Sequence, residues 1–203
     1  MRVRAAMRVQ AVMRVLALLL VGSVVGCATA KEILALRQVE FRFNRITGAR
    51  VAGIALDQIH SYQDVAPVDL ARFAVAVATK DVPLDLTVHL VGLNPETNTT
   101  TARLVAMDWT YLVDDRDLVS GRLTDPYTFE PGSPRDVPIL VTFNLARAFD
   151  GDGAALLNTA LALADQRTSE HKVSLRISPT VDTSLGPIRY PTPITIDLVT
   201  PAR

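Results

Sequence analysis

The sequence predicts a mainly β protein, an antiparallel β-sandwich with one or two short helices. Three observations predict it. Apolar residues recur at every second position through several segments, the spacing of a half-buried strand. Pro, Gly, Asn and Asp punctuate the intervals between them. Only two segments, both alanine-rich, change to helical spacing.

Taken in order, Val39, Phe41 and Phe43 alternate with Glu40, Arg42 and Asn44, and Thr47-Gly48-Ala49 is expected to turn the chain. A second strand is expected over about residues 50–60, with Ile54 and Leu56 on one side and Asp57 opposite. The segment 68–79 places Leu70, Phe73 and Val77 at helical spacing after Pro67. The third strand sets Leu84, Leu86, Val88 and Leu90 against Asp85, Thr87 and His89, and Asn94-Pro95 ends it. A fourth strand over 102–114 is expected to present Val105, Met107, Trp109, Tyr111 and Val113 on one face. The acidic stretch Asp114-Asp115-Arg116-Asp117 then turns into a short strand near 118–124.

After the loop Pro131-Gly132-Ser133-Pro134, Val137, Ile139, Val141, Phe143 and Leu145 mark a sixth strand. A helix over 152–166 is expected to face inward through Leu157, Leu161 and Ala164, capped by Asp150 or Asp152. Val173, Leu175 and Ile177 mark a seventh strand. Ile188, Tyr190, Ile194, Ile196 and Leu198 mark a last one, whose Pro191 and Pro193 suit an edge. The total is about eight short strands in one domain, with no repeat and no change of composition inside it.

The N-terminus is a different kind of sequence. Residues 1–26 contain no Asp or Glu, and Arg2, Arg4, Arg8 and Arg14 precede the apolar run from Val15 to Val21. A charged start, a short apolar stretch and small residues before a cut characterise a secretory leader. Val24-Val25-Gly26-Cys27 resembles a bacterial lipobox, with Val in place of the commoner Leu at the first position. The resemblance implies cleavage after Gly26, diacylglycerol on the Cys27 thiol and an acylated new N-terminus. Cys27 is the only cysteine in the chain. One acyl chain holds a protein only marginally, whereas two or three hold it stably. Ala28, rather than Asp, follows the cysteine, which in the Gram-negative sorting pattern implies the outer membrane, facing the periplasm. The expected divisions are a leader over 1–26, a lipidated tether over 27–35 and the sandwich over 36–198.

Removing the leader takes 4 of 21 basic residues and none of the 21 acids, which leaves 17 against 21 and a net charge of −4. A mildly acidic chain is expected to bind no nucleic acid.

The order of features in the body also resembles a known family. Val82-Pro83-Leu84-Asp85-Leu86-Thr87-Val88 runs into Gly92-Leu93-Asn94-Pro95, and Val119-Ser120-Gly121-Arg122-Leu123 and Val137-Pro138-Ile139-Leu140-Val141 follow. This is similar to the late-embryogenesis-abundant type 2 family, the WHy (water stress and hypersensitive response) domain, over about residues 36–198. Glu96 stands where the family often carries a second Asn. The resemblance implies an immunoglobulin- or fibronectin-III-like sandwich with a helix, an association with desiccation and stress tolerance, and no catalytic residues.

The remaining chemistry is sparse. His60, His89 and His171 lie at no metal-ligand spacing, and His89 is expected at an exposed strand position. Asp150-Gly151-Asp152-Gly153 begins like a calcium loop, but Leu161 stands at its twelfth position where a Glu is required, so a helix cap is expected. Asp114, Asp115 and Asp117 are expected as a solvated turn. Trp109 and Tyr111 are expected in the core, and Asn98-Thr99-Thr100 fits a glycosylation sequon. No nucleophile elbow, Walker loop or dinucleotide fingerprint occurs. The expectation is therefore a non-enzymatic, membrane-anchored protein without cofactor or metal, acting in stress protection or envelope maintenance. The alternatives are a carrier of lipid or a small apolar ligand, and an adaptor that offers an open sheet edge to an envelope partner.

Overall fold

The computed structural model describes residues 39–98, 100–164, 171–182 and 186–199. Cys27, its flank Val24, Val25 and Gly26, the leader and the tether lie outside the described residues. The elements run β1 (Glu40–Val51), β2 (Ile54–Ala55), a 3-10 turn (Tyr62–Asp64), α1 (Pro67–Ala78), β3 (Pro83–Leu93), β4 (Ala102–Val113), β5 (Arg116–Leu123), β6 (Tyr127–Phe129), β7 (Pro134–Asn144), a single turn α2 (Leu145–Ala148), α3 (Gly153–Ala164), β8 (Val173–Val181), β9 (Ile188–Arg189) and β10 (Ile194–Val199).

Two open antiparallel sheets form a β-sandwich. One has the order β2-β1-β3-β7; the other has the order β10-β8-β4-β5, with β6 also on β4 and β9 also on β8. Alternation in β3 is complete: Leu84, Leu86, Val88 and Leu90 are fully buried. Across β7 they pair with Phe143, Val141, Ile139 and Val137. From the second sheet, Met107, Trp109, Tyr111 and Val113 of β4 and Val173, Leu175 and Ile177 of β8 join the same core. The rings of Tyr111 and Phe143 meet across the sheets at 5.9 Å, and Phe41 meets Phe129 edge-on at 5.6 Å.

Several expectations need correction. Thr47-Gly48-Ala49 is not a turn. It is a bulge within β1, where the register to β3 shifts between Thr47 and Arg50 and Gly48 takes φ +62°. The turn comes later, at Ala52-Gly53, and the strand expected over 50–60 shrinks to two residues. Val105 leaves the inward face because β4 bulges between Leu104 and Ala106; Ala102 and Leu104 point inward before the bulge, and Met107 resumes after it. In α3 the buried residues are Leu156, Leu157, Ala160 and Leu163, while Leu161 and Ala164 are only half-buried. Leu145 opens a helical turn and does not extend β7. The described residues hold ten strands; β6 was missed, and the last expected strand divides into β9 and β10.

The outer strands are broken. β5 and β6 follow one another along the same side of β4, separated by Thr124-Asp125-Pro126. β9 and β10 follow one another along β8, separated by a segment with Pro191 and Pro193. β7 carries Pro134 and Pro138, and β1 is shifted in register at two places.

Candidate functional site

Both helices close one pole of the sandwich. Pro67 opens α1 at its first turn. At its other end the Lys80 N–H donates to Val77 O and the Asp81 N–H to Ala76 O, with Lys80 at φ +52°. This is a Schellman closure with lysine where glycine is usual. Asp152 caps α3 by accepting the Ala155 N–H at 2.9 Å, so the Asp-Gly pair is a helix cap as expected. Phe73 and Val77 of α1 pack beside Gly153.

The outward side of α1 is apolar as well. Val68 and Val75 are 60% and 64% exposed, and nearby Tyr62 is 40% exposed. Ala71, Ala74 and Ala78 are exposed with them. The only charged residues of the helix, Asp69 and Arg72, pair with each other at 3.3 Å.

The same pole holds the β4–β5 hairpin, whose turn residues Asp114 and Asp115 both take positive φ. Asp114 bonds His171 Nδ1 at 2.8 Å and accepts the Lys172 N–H at 3.0 Å. Burial pushes its carboxyl up, but the bonds from His171 and the Lys172 amide outweigh this and hold it below the usual carboxylate range. Lys172 pairs with Asp115 at 2.9 Å, and Arg176 bonds both oxygens of Asp117 at 3.2 Å. The acidic stretch is thus an ion-paired turn, with the His171 ring 5.7 Å from Phe149.

On the outer face of the first sheet, Thr47, His89 and Asp136 form a line. Thr47 Oγ1 lies 2.9 Å from His89 Nε2, and His89 Nδ1 lies 2.8 Å from Asp136 Oδ2. His89 is therefore not the exposed position expected; its side chain is 14% exposed and joins β1 to β7 across β3. The order hydroxyl, imidazole, carboxylate matches a nucleophilic relay. Such a relay also needs donors around a developing oxyanion and walls that exclude water. This line lies on the outside of a sheet, and its contacts are cross-strand bonds. His60 contributes its backbone N–H to Asp64. Among the described residues no three of His, Cys, Asp and Glu gather as a metal centre, and no helix is long and apolar enough to cross a membrane.

At the opposite pole, Asn94 is fully buried and pins three segments. Its Nδ2 donates to Thr100 O at 3.1 Å and Phe129 O at 2.9 Å, its Oδ1 accepts Asn98 Nδ2 at 2.8 Å, and its carbonyl accepts the Gly132 N–H at 2.8 Å. Asn98 of the sequon is consequently buried and committed to this network. Gly121 sits against Trp109, where a Cβ would fall 2.3 Å from the ring.

No family model and no curated protein matches the chain. Solved structures give distant likenesses. The solution structure of a protein provisionally assigned to the late embryogenesis abundant proteins is 14% identical, with a TM-score of 0.38, over 92% of this chain and 86% of its own. A crystal structure of a protein from Archaeoglobus fulgidus is 12% identical, with a TM-score of 0.34, over 60% and 88%. The sporulation control protein Spo0M from Bacillus subtilis is 16% identical, with a TM-score of 0.27, over 60% of this chain and 43% of its own.

Proposed function

We propose that this protein is an envelope lipoprotein that works through its surface rather than by turnover, in stress protection or maintenance of the envelope. One observation carries the reading: the only cysteine stands at position 27, directly behind Val24-Val25-Gly26 and an acid-free leader. Acyl chains at that sulfur hold the body beside a bilayer, and Ala28 favours the outer membrane. The body that follows is a packed sandwich with paired outer faces. Its core is closed by aromatic contacts between the sheets, and its outer faces are laced by cross-strand pairs such as Thr110–Ser120 at 2.9 Å and Arg122–Asp108 at 3.2 Å. The WHy-type reading adds the role in water stress. It draws on the run into Asn94-Pro95, whose asparagine is the buried pin of the fold.

The anchor is tested on native material. Mass spectrometry of the N-terminal peptide is expected to begin at Cys27 with acyl chains attached, and Cys27→Ser is expected to move the protein from the membrane to the soluble fraction. An unmodified Cys27 behind an intact leader would remove the location and the role with it. The role is tested by deletion: cells lacking the protein are expected to survive drying and osmotic shock less well than their parent. Equal survival counts against a stress function.

A further inference from the structure

We propose that α1 is a self-association surface, through which two copies of the chain pack across a two-fold axis along Val68, Ala71, Val75 and Ala78. These four residues are spaced three, four and three apart, the a/d seam of a coiled-coil contact, and all four are exposed. They lie on the side of the helix away from Leu70, Phe73 and Val77, which pack on the core. Apart from the Asp69–Arg72 pair the helix is apolar on its outward side as well as its inward one, and an outward apolar stripe calls for cover. Three of the four large hydrophobic residues that stand exposed among the described residues, Tyr62, Val68 and Val75, cluster on this one segment. The two alanines of the seam allow close approach, and the Asp69–Arg72 pair leaves no uncompensated charge on the helix to repel an identical copy.

The position of α1 selects the occupant; this step rests on the anchored reading. The tether enters the sandwich at Glu40, opposite Leu93, whereas α1 leads into β3 at Pro83, opposite the far end of β1. The 12 residues of β1 separate these poles by about 40 Å at ~3.3 Å per residue. The chain from Cys27 to Val39 also spans at most about 40 Å when fully extended. The seam therefore lies about one strand length from the place where the described chain begins, and reaching its own bilayer would take nearly the full extended length of residues 27–39. A second copy anchored in the same membrane presents the same helix at the same height. That is the condition for an isologous contact with its axis along the membrane normal. Confinement to a surface raises the effective concentration and lets a small seam suffice.

The test is disulfide trapping with the lipidated chain in liposomes. Acylation of Cys27 leaves Val75→Cys as the only free thiol. Mild oxidation is expected to give a dimer that grows with surface density, while Thr128→Cys, exposed on β6, gives at least tenfold less. Adding Ala71→Glu is expected to reduce the Val75→Cys dimer at least tenfold without changing the circular dichroism of the fold. Three outcomes overturn the proposal: a reactive monomeric thiol; a protected monomeric thiol, marking cover by the chain's own flanks; and a label at position 75 that moves into the bilayer. Flotation and mass spectrometry of the same samples read the anchor separately. A floating chain without the dimer defeats the seam alone. A Cys27→Ser, Val75→Cys chain that dimerises in solution while the native Cys27 proves unmodified defeats the anchor alone.

Discussion

Two buried polar side chains of this protein sit in opposite circumstances. Asn94 is fully satisfied, and its side chain replaces backbone pairing where the chain leaves β3. Asn94→Ala removes two donated bonds and the oxygen that accepts Asn98 Nδ2; urea unfolding is expected to show a loss of about 2–4 kcal/mol. The Tyr111 hydroxyl is buried with no hydrogen-bond partner among the described residues, and burial pushes its phenol up. Tyr111→Phe is therefore expected to leave stability unchanged or raise it by about 1 kcal/mol in the same assay. Asp114 supplies a pH dependence. Its carboxyl titrates lower in the folded chain than in the unfolded one. Its contribution is thus complete above the ordinary carboxylate range, about pH 4, and is lost as pH falls through the lower folded value. Acid unfolding followed by circular dichroism is expected to lose part of its steepness below pH 4 in Asp114→Asn. The sequence marked Asn94 as the end of a strand and Asp114 as a turn. It gave no sign of their partners, because Phe129 and His171 lie 35 and 57 positions away.

Period-2 and period-3.6 patterns exposed the elements wherever one face alone is buried. β3 was legible for that reason residue by residue, and β7 as far as Phe143. The pattern failed at bulges. One extra residue at Gly48 or Val105 reverses every side chain beyond it, and a reversed alternation resembles a break. It also failed for β6, since three residues of strand carry too little alternation to separate from loop. α1 was legible in place and in its inward side, Leu70, Phe73 and Val77, but the exposure of Val68 and Val75 was not, because apolar residues on the outward side carry no sign of whether something covers them. Its C-terminus offers a direct test. Lys80 occupies a left-handed conformation that glycine adopts without strain. Lys80→Gly is expected to raise stability by about 0.5–1 kcal/mol in thermal or urea unfolding. Unchanged or lowered stability would show that the lysine side chain gives more than its backbone costs.

The described strands and helices contribute to one continuous apolar core. One core predicts one transition. Fluorescence of Trp109, the only tryptophan, and far-ultraviolet circular dichroism are expected to give coincident urea curves; separate midpoints would reveal an independently melting part. The candidate surface was less legible than the core. The lipobox resemblance at Cys27 and its flank can be drawn from sequence because such a motif is a local word. The Thr47–His89–Asp136 line and the exposed seam exist only once three strands and two helices have met.

The broken outer strands have a consequence for concentrated solutions. A foreign strand joins a sheet by hydrogen-bonding along a straight, uninterrupted row of amides. Here a visitor finds proline on β7, shifted register on β1, and gaps at Thr124-Asp125-Pro126 and between β9 and β10. Edge-to-edge strand pairing between neighbouring copies is therefore disfavoured even where crowding presses their sheet edges together.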